Sequence, residues 1–270
     1  MSRGRRRTSA SAGPGAKPVS ASIRSTAPLA ASYQDAPAST RIDAIDALRG
    51  GALCLMIVYH FAFDLRFYGV TNSDFEHDLF WLSFRALIVT SFMALVGMSL
   101  VLADQARSTR LHFWRRIAII AGCACLVSIA SYLTFRRTFI YFGILHAIAV
   151  ASVLVSPLVR RPRAAIAIGV AVVAAGVFWS DPAFNARWLS WIGFVTEKPP
   201  TEDYVPLAPW AGVVALGVAA GNWLARDGFR ALAPAGRAPA WLRWMGRHSL
   251  LVYMSHQPLL LGGLWLVVRH

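Results

Sequence analysis

Seven apolar segments of near-spanning length divide the chain, at about 47–66, 79–103, 113–134, 139–159, 164–180, 207–224 and 248–268. A helix rising 1.5 Å per residue needs about 20 residues to cross the hydrocarbon of a bilayer. The fifth segment, rich in Ala, Val and Gly, is the shortest. Composition excludes the soluble alternative. Hydrophobic residues make up 56% and charged residues 15% of the 270, against roughly 25% charged in soluble domains. Mean hydropathy is +0.50. So few charges cannot cover a water-facing surface, and the expected fold is an all-α, polytopic integral membrane bundle of about seven transmembrane helices.

The net charge of +14 reads as topology. Basic residues fall between the apolar runs instead of clustering on one face, which argues against a nucleic-acid partner. Alternate connections carry 20 Lys and Arg on one side and 6 on the other, with Arg85 left inside a span. The positive-inside rule therefore places the N-terminus in the cytoplasm and, with seven spans, the C-terminus outside. Residues 1–40 are Ser/Ala/Pro-rich and basic, with nothing to form a core, and are expected to be a disordered cytoplasmic tail ahead of a membrane domain at 41–270. No apolar stretch follows the first arginines before Gly50, which argues against a cleaved export signal. The tryptophans in Arg187–Phe194 suit a short helix lying in the interface. Cys54, Cys123 and Cys125 read as small buried hydrophobes, since a spacing of two puts the last pair on nearly opposite helix faces.

Ionisable side chains inside spans are costly and mark candidate sites. His60 and Asp64, four apart, share a face of the first span, and Arg49, eleven residues earlier, returns to nearly the same face. A stripe Arg49–Leu53–Met56–His60–Asp64 is expected to line a path. Arg85 on the second span and His146 on the fourth fall at a similar depth to His60, about 10 Å from the outer side by rise per residue. Together they suggest a polar pocket. The structural alternative is an Asp64–Arg85 ion pair with the histidines bonded to carbonyls. Ser249, Tyr253 and His256 share a face of the last span, beside Gln257 and the helix-loosening Pro258. His77 lies just outside the second span beside Glu76 and Asp78, where negative neighbours strengthen a histidine as a general base.

The run Arg41-Ile42-Asp43-Ala44-Ile45-Asp46-Ala47-Leu48-Arg49-Gly50, followed by Met56 and Tyr59-His60-Phe61, resembles the opening of the heparan-α-glucosaminide N-acetyltransferase catalytic-domain family of bacterial membrane proteins. Phe92–Ser99, Tyr141–His146 and Asp203–Gly212 agree in family order. Gly246–Pro258 resembles the last span of the wider membrane acyltransferase superfamily. The resemblance implies transfer of an acetyl group from cytoplasmic acetyl-CoA, as co-substrate, to an amino sugar across the membrane. It also implies an outer-side histidine, between the first two spans, as the residue that handles the acetyl group. His77 matches that position, and His60, where an animal member carries an asparagine, is its rival.

Acetyl transfer to an amine needs a base and donors for the oxyanion. His77 or His60 would be base or transient acetyl carrier, with Asp64 orienting His60 and Arg85 or Tyr204 stabilising charge. Arg49, His146, Tyr253 and His256 are the candidates for binding the coenzyme, with Arg115, Arg116 and Arg247 near its phosphates. A thioester is already activated, so no metal is expected. The expected function is a multi-pass acyltransferase of the bacterial inner membrane. Its partners are the bilayer and a cell-envelope glycan or its precursor, and a homodimer is compatible with it. The alternative is a proton-coupled transporter using the His60/Asp64/Arg85/His146 cluster, which inverted repeats would favour and which the sequence does not display. A structural subunit whose polar residues only pack helices is the third reading.

Overall fold

A computed structural model describes residues 42–268; the expected tail at 1–40 lies outside them. The described residues are all-helical, without strands. The helices are α1 (Asp43–Phe67), α2 (Leu79–Gln105), α3 (Arg110–Thr134), α4 (Ile144–Val155), α5 (Pro162–Phe178), α6 (Arg187–Ser190), α7 (Leu207–Ala225), α8 (Ala233–Gly236), α9 (Ala240–Arg247) and α10 (Ser249–Val268). Five of them, α1, α2, α3, α7 and α10, are long and apolar enough to cross a membrane. The other two expected spans are the shorter apolar helices Ile144–Leu158 and Pro162–Phe178. One turn at Arg187–Ser190 stands where an interfacial helix is expected.

Local chemistry sets the helix starts. The Asp78 carboxylate accepts the Phe80 N–H at 2.9 Å to open α2, and Thr109 Oγ1 accepts the His112 N–H at 3.3 Å to open α3, each satisfying an orphan donor of the first turn. Pro162 stands in the first turn of α5, where its fixed φ is already helical. The fourth helix starts five residues later than the apolar run predicts. Tyr141-Phe142-Gly143 stay outside the helix, and the Asp203 carboxylate, 59 residues away, takes the Ile144 N–H at 2.9 Å.

The core forms where α1, α2, α4 and α7 meet, around the fully buried Leu53, Met93, Val214 and Val218. At Gly97 a Cβ would overlap the Val214 carbonyl, so α2 and α7 pack backbone to backbone, as small residues permit in lipid. At the other end of α1, the connection after α7 folds back as α8 and α9. Asp43 accepts from Arg243 and Arg247 at 2.6 Å each, and a Cβ on Gly246 would overlap the Asp46 carbonyl. The first turns of α1 are thereby committed to α9.

Two expectations change here. Leu53 and Met56 are buried core residues at 0% and 4% exposure, so the α1 stripe does not line an open path beyond Arg49. Cys125 is exposed on the outward face of α3 among Leu126, Ile129 and Leu133, a face that lipid would cover, instead of being buried.

Candidate functional site

A cavity of about 450 Å³ lies between α1, α2, α3, α4 and α10, within the range of small-ligand sites. One end is basic, with His112, Arg115 and Arg116 from the first two turns of α3, and Arg49 from α1. Arg115 and Arg116 make no ion pair among the described residues. Arg49 is held in place: its guanidinium donates to Ser99 Oγ at 2.8 Å and to Asp46 at 3.3 Å. Away from this end the lining is apolar, including Ile144, Leu145 and Ile148 of α4, and α10 contributes Tyr253.

The Tyr253 ring lies 5.4 Å, centroid to centroid, from His256, and His256 lies 5.1 Å from His60. Although α10 is apolar and largely outward-facing, its one buried residue is this histidine, at 8% exposure. His256 Nδ1 bonds the Tyr253 carbonyl. A carbonyl can only accept, so Nδ1 carries the proton and Nε2 presents a lone pair. That Nε2 is buried without a partner among the described residues. Next along the chain, Gln257 Nε2 donates to Asp64 Oδ1 at 2.8 Å. Asp64 is 1% exposed, and its partner is this amide instead of Arg85.

The polar residues of the first, second and fourth spans therefore do not form one pocket. His60 joins His256, whereas His146 caps α4. Its Nδ1 accepts the Gly143 N–H at 3.3 Å, which leaves Nε2 to bond Ser128 Oγ at 3.3 Å. Arg85 lies within electrostatic range of Asp203 and forms no ion pair with it. Burial pushes the Asp203 carboxyl above the ordinary range, against the opposing pull of the Ile144 N–H, Arg85 and Lys198. Burial likewise raises the Tyr204 phenol, whose hydroxyl donates to the Ser190 carbonyl at 2.6 Å.

His77 sits on the exposed α1–α2 loop, with its side chain 82% accessible and Nδ1 3.0 Å from Asp74 Oδ2. Its carboxylate neighbour is Asp74 and not the expected pair, because Asp78 caps α2 and Glu76 pairs with Lys198 at 3.3 Å. The N–H groups of Glu76 and His77, with the His77 ring, hold the Asp74 carboxyl below its ordinary value. Phe75 anchors the loop at 2% exposure against Tyr59, Phe63 and Trp81.

Of the residues proposed to bind a coenzyme, Arg49 and Tyr253 line the cavity, His256 lies next to Tyr253, and His146 supports the α4 residues that form the wall. Sequence reasoning passed over Asp203 and the Gln257–Asp64 bond, since both depend on contacts between distant segments. The only available signal was an acidic residue just ahead of the Pro-rich start of α7. Among the described residues, no group of three or more His, Cys, Asp or Glu could hold a metal ion.

Comparison with protein-family models matches residues 41–258 to the family described as heparan-alpha-glucosaminide N-acetyltransferase, catalytic. No curated protein and no solved structure matches the chain.

Proposed function

Since the chain belongs to the heparan-α-glucosaminide N-acetyltransferase catalytic family, a family of membrane acetyltransferases, we propose that it moves an acetyl group from acetyl-CoA on the cytoplasmic side to an amino sugar of a cell-envelope glycan or its precursor on the other. The observation that carries this reading is the cavity with a basic mouth and an apolar wall, whose Tyr253 is in ring contact with His256, itself in ring contact with His60. Arg115 and Arg116, which make no ion pair among the described residues, suit the phosphates of a coenzyme, and an apolar wall suits its pantetheine arm. The positive-inside asymmetry puts that mouth in the cytoplasm. The shorter α4 and α5 then complete a seven-span bundle.

Bound acetyl-CoA supplies the acetyl group as an activated thioester. Its transfer forms a C–N bond and breaks the C–S bond, with the sulfur leaving as thiolate. The acceptor's proton goes to His256 Nε2, the lone pair exposed by the Nδ1 bond to Tyr253. His60 supports the imidazolium that results by ring contact, and the Tyr253 hydroxyl at the cavity end is placed to donate to the developing oxyanion. The His77–Asp74 pair meets the acceptor at the outer surface.

The test is transfer across a sealed bilayer. Proteoliposomes given labelled acetyl-CoA on the Arg115/Arg116 side and glucosamine oligomers on the other should label the sugar. Absence of both labelling and coenzyme A binding overturns the reading.

A further inference from the structure

Three buried polar atoms beside the histidine pair have no partner among the described residues: Asp64 Oδ2, Gln257 Oε1 and His256 Nε2. All three are acceptors. Gln257 commits its amide nitrogen to Asp64 Oδ1, which leaves Oε1 as a buried acceptor, and reversing the amide would set two acceptor oxygens against each other. His256 commits its N–H to the Tyr253 carbonyl. Asp64 makes no ion pair among the described residues, although a buried carboxylate without a cation is among the most costly groups a protein can hold. Asp64 is also one turn from the end of α1 remote from Arg49, so this cluster lies toward the end of the bundle opposite the basic mouth.

Three lone acceptors, one of them anionic, complement a cation with three N–H donors. A hydroxyl brings a single donor and no charge. We infer that Asp64, Gln257 and His256 form the subsite that receives the primary ammonium group of the acceptor. The inference rests on the transferase reading and deepens it: Asp64 and Gln257 hold the nitrogen, His256 Nε2 takes the proton that frees its lone pair, and the second proton, released as the C–N bond forms, goes to the leaving thiolate. Asp64 is then a residue that grips substrate and not one that orients His60.

Binding of glucosamine, of N,N,N-trimethylglucosamine and of glucose to the full chain in nanodiscs tests this without acetyl-CoA present. The trimethyl compound keeps the charge and lacks every N–H. Glucosamine is expected to bind at least about tenfold more tightly than either analogue, the size of effect that leaving buried acceptors unpaired produces. Asp64→Asn and Gln257→Leu should each weaken glucosamine by about tenfold while leaving coenzyme A affinity within about twofold. Equal binding of the three sugars to the unmodified protein, which needs no variant to fold, overturns the subsite. So does unchanged glucosamine affinity in a folded Asp64→Asn protein. Loss of coenzyme A binding and acetyl transfer in the unmodified protein would instead strike the transferase reading and leave the sugar comparison standing as its own result.

Discussion

His60 on α1 and His256 on α10 face each other with ring centroids 5.1 Å apart. They come from opposite ends of the family-like region, and only the side-by-side packing of the first and last long helices joins them. This contact links two features that are separate in sequence: the basic cavity, which ends at Tyr253, and the acceptor-only cluster at Asp64 and Gln257.

The basic mouth predicts a specific kinetic change. Replacing Arg115 and Arg116 together by Gln should raise KM for acetyl-CoA by at least about 100-fold, since charge-assisted hydrogen bonds contribute about 1.5–3 kcal/mol each. The turnover number should change little, because both side chains stand on α3 and the histidines on α1 and α10. Steady-state kinetics with varied acetyl-CoA would show it.

His146 should behave as a structural residue. Its Nδ1 satisfies the Gly143 N–H, and removing a helix cap costs about 1 kcal/mol. His146→Ala is therefore expected to lower the thermal midpoint in detergent while KM for acetyl-CoA stays near that of the unmodified protein. A large rise in KM without loss of stability would place His146 in the coenzyme site instead.

Two carboxyls predict opposite pH behaviour in separate windows. The folded Asp203 carboxyl titrates above its ordinary 3.8, so above that value the folded state binds more protons than the unfolded state, and this group's contribution falls as pH rises. Asp203→Asn keeps an acceptor for the Ile144 N–H and should remove this slope, read as the difference in thermal midpoint between the two proteins from pH 7 down to about 4.5. Asp74 lies below 3.8 in the folded state. Its contribution is present above that value and is lost only as pH falls through its lowered folded value.

Close packing of α9 on α1 predicts a sharp positional contrast. Gly246→Ala forces a methyl into the Asp46 carbonyl and should destabilise the protein by about 1–3 kcal/mol. Gly122→Ala on α3 meets nothing within 4 Å and should be neutral or slightly stabilising. Thermal unfolding of the two variants side by side measures the difference.

Apolar run length made the helices legible, because spanning a bilayer demands long uninterrupted hydrophobicity, and each expected segment holds a helix. Helix spacing also identified His60, Asp64, Tyr253 and His256 as unusual. It could not say which of them meet, since that depends on α1 lying beside α10. Depth counting grouped His60 with Arg85 and His146, but it ignored the turns of α1 spent on α9 and the late start of α4 at its Asp203 cap. The acids Asp43 and Asp46 gave no sign of their role in holding Arg243, Arg247 and Arg49, pairings that span some 200 residues in the first two cases.

On the proposed function, the acetyl group moves at the buried histidine pair. The most direct test is single-turnover acetyl transfer by His256→Ala and His60→Ala, with acetyl-CoA affinity measured on the same samples and His77→Ala as the comparison. The account predicts a loss of about 10²- to 10⁴-fold in rate for His256→Ala, a smaller loss for His60→Ala, and unchanged acetyl-CoA affinity in both. His77→Ala should change chiefly the KM for the acceptor. Near-normal rates in the two buried-histidine variants, with transfer abolished by His77→Ala alone, would contradict it.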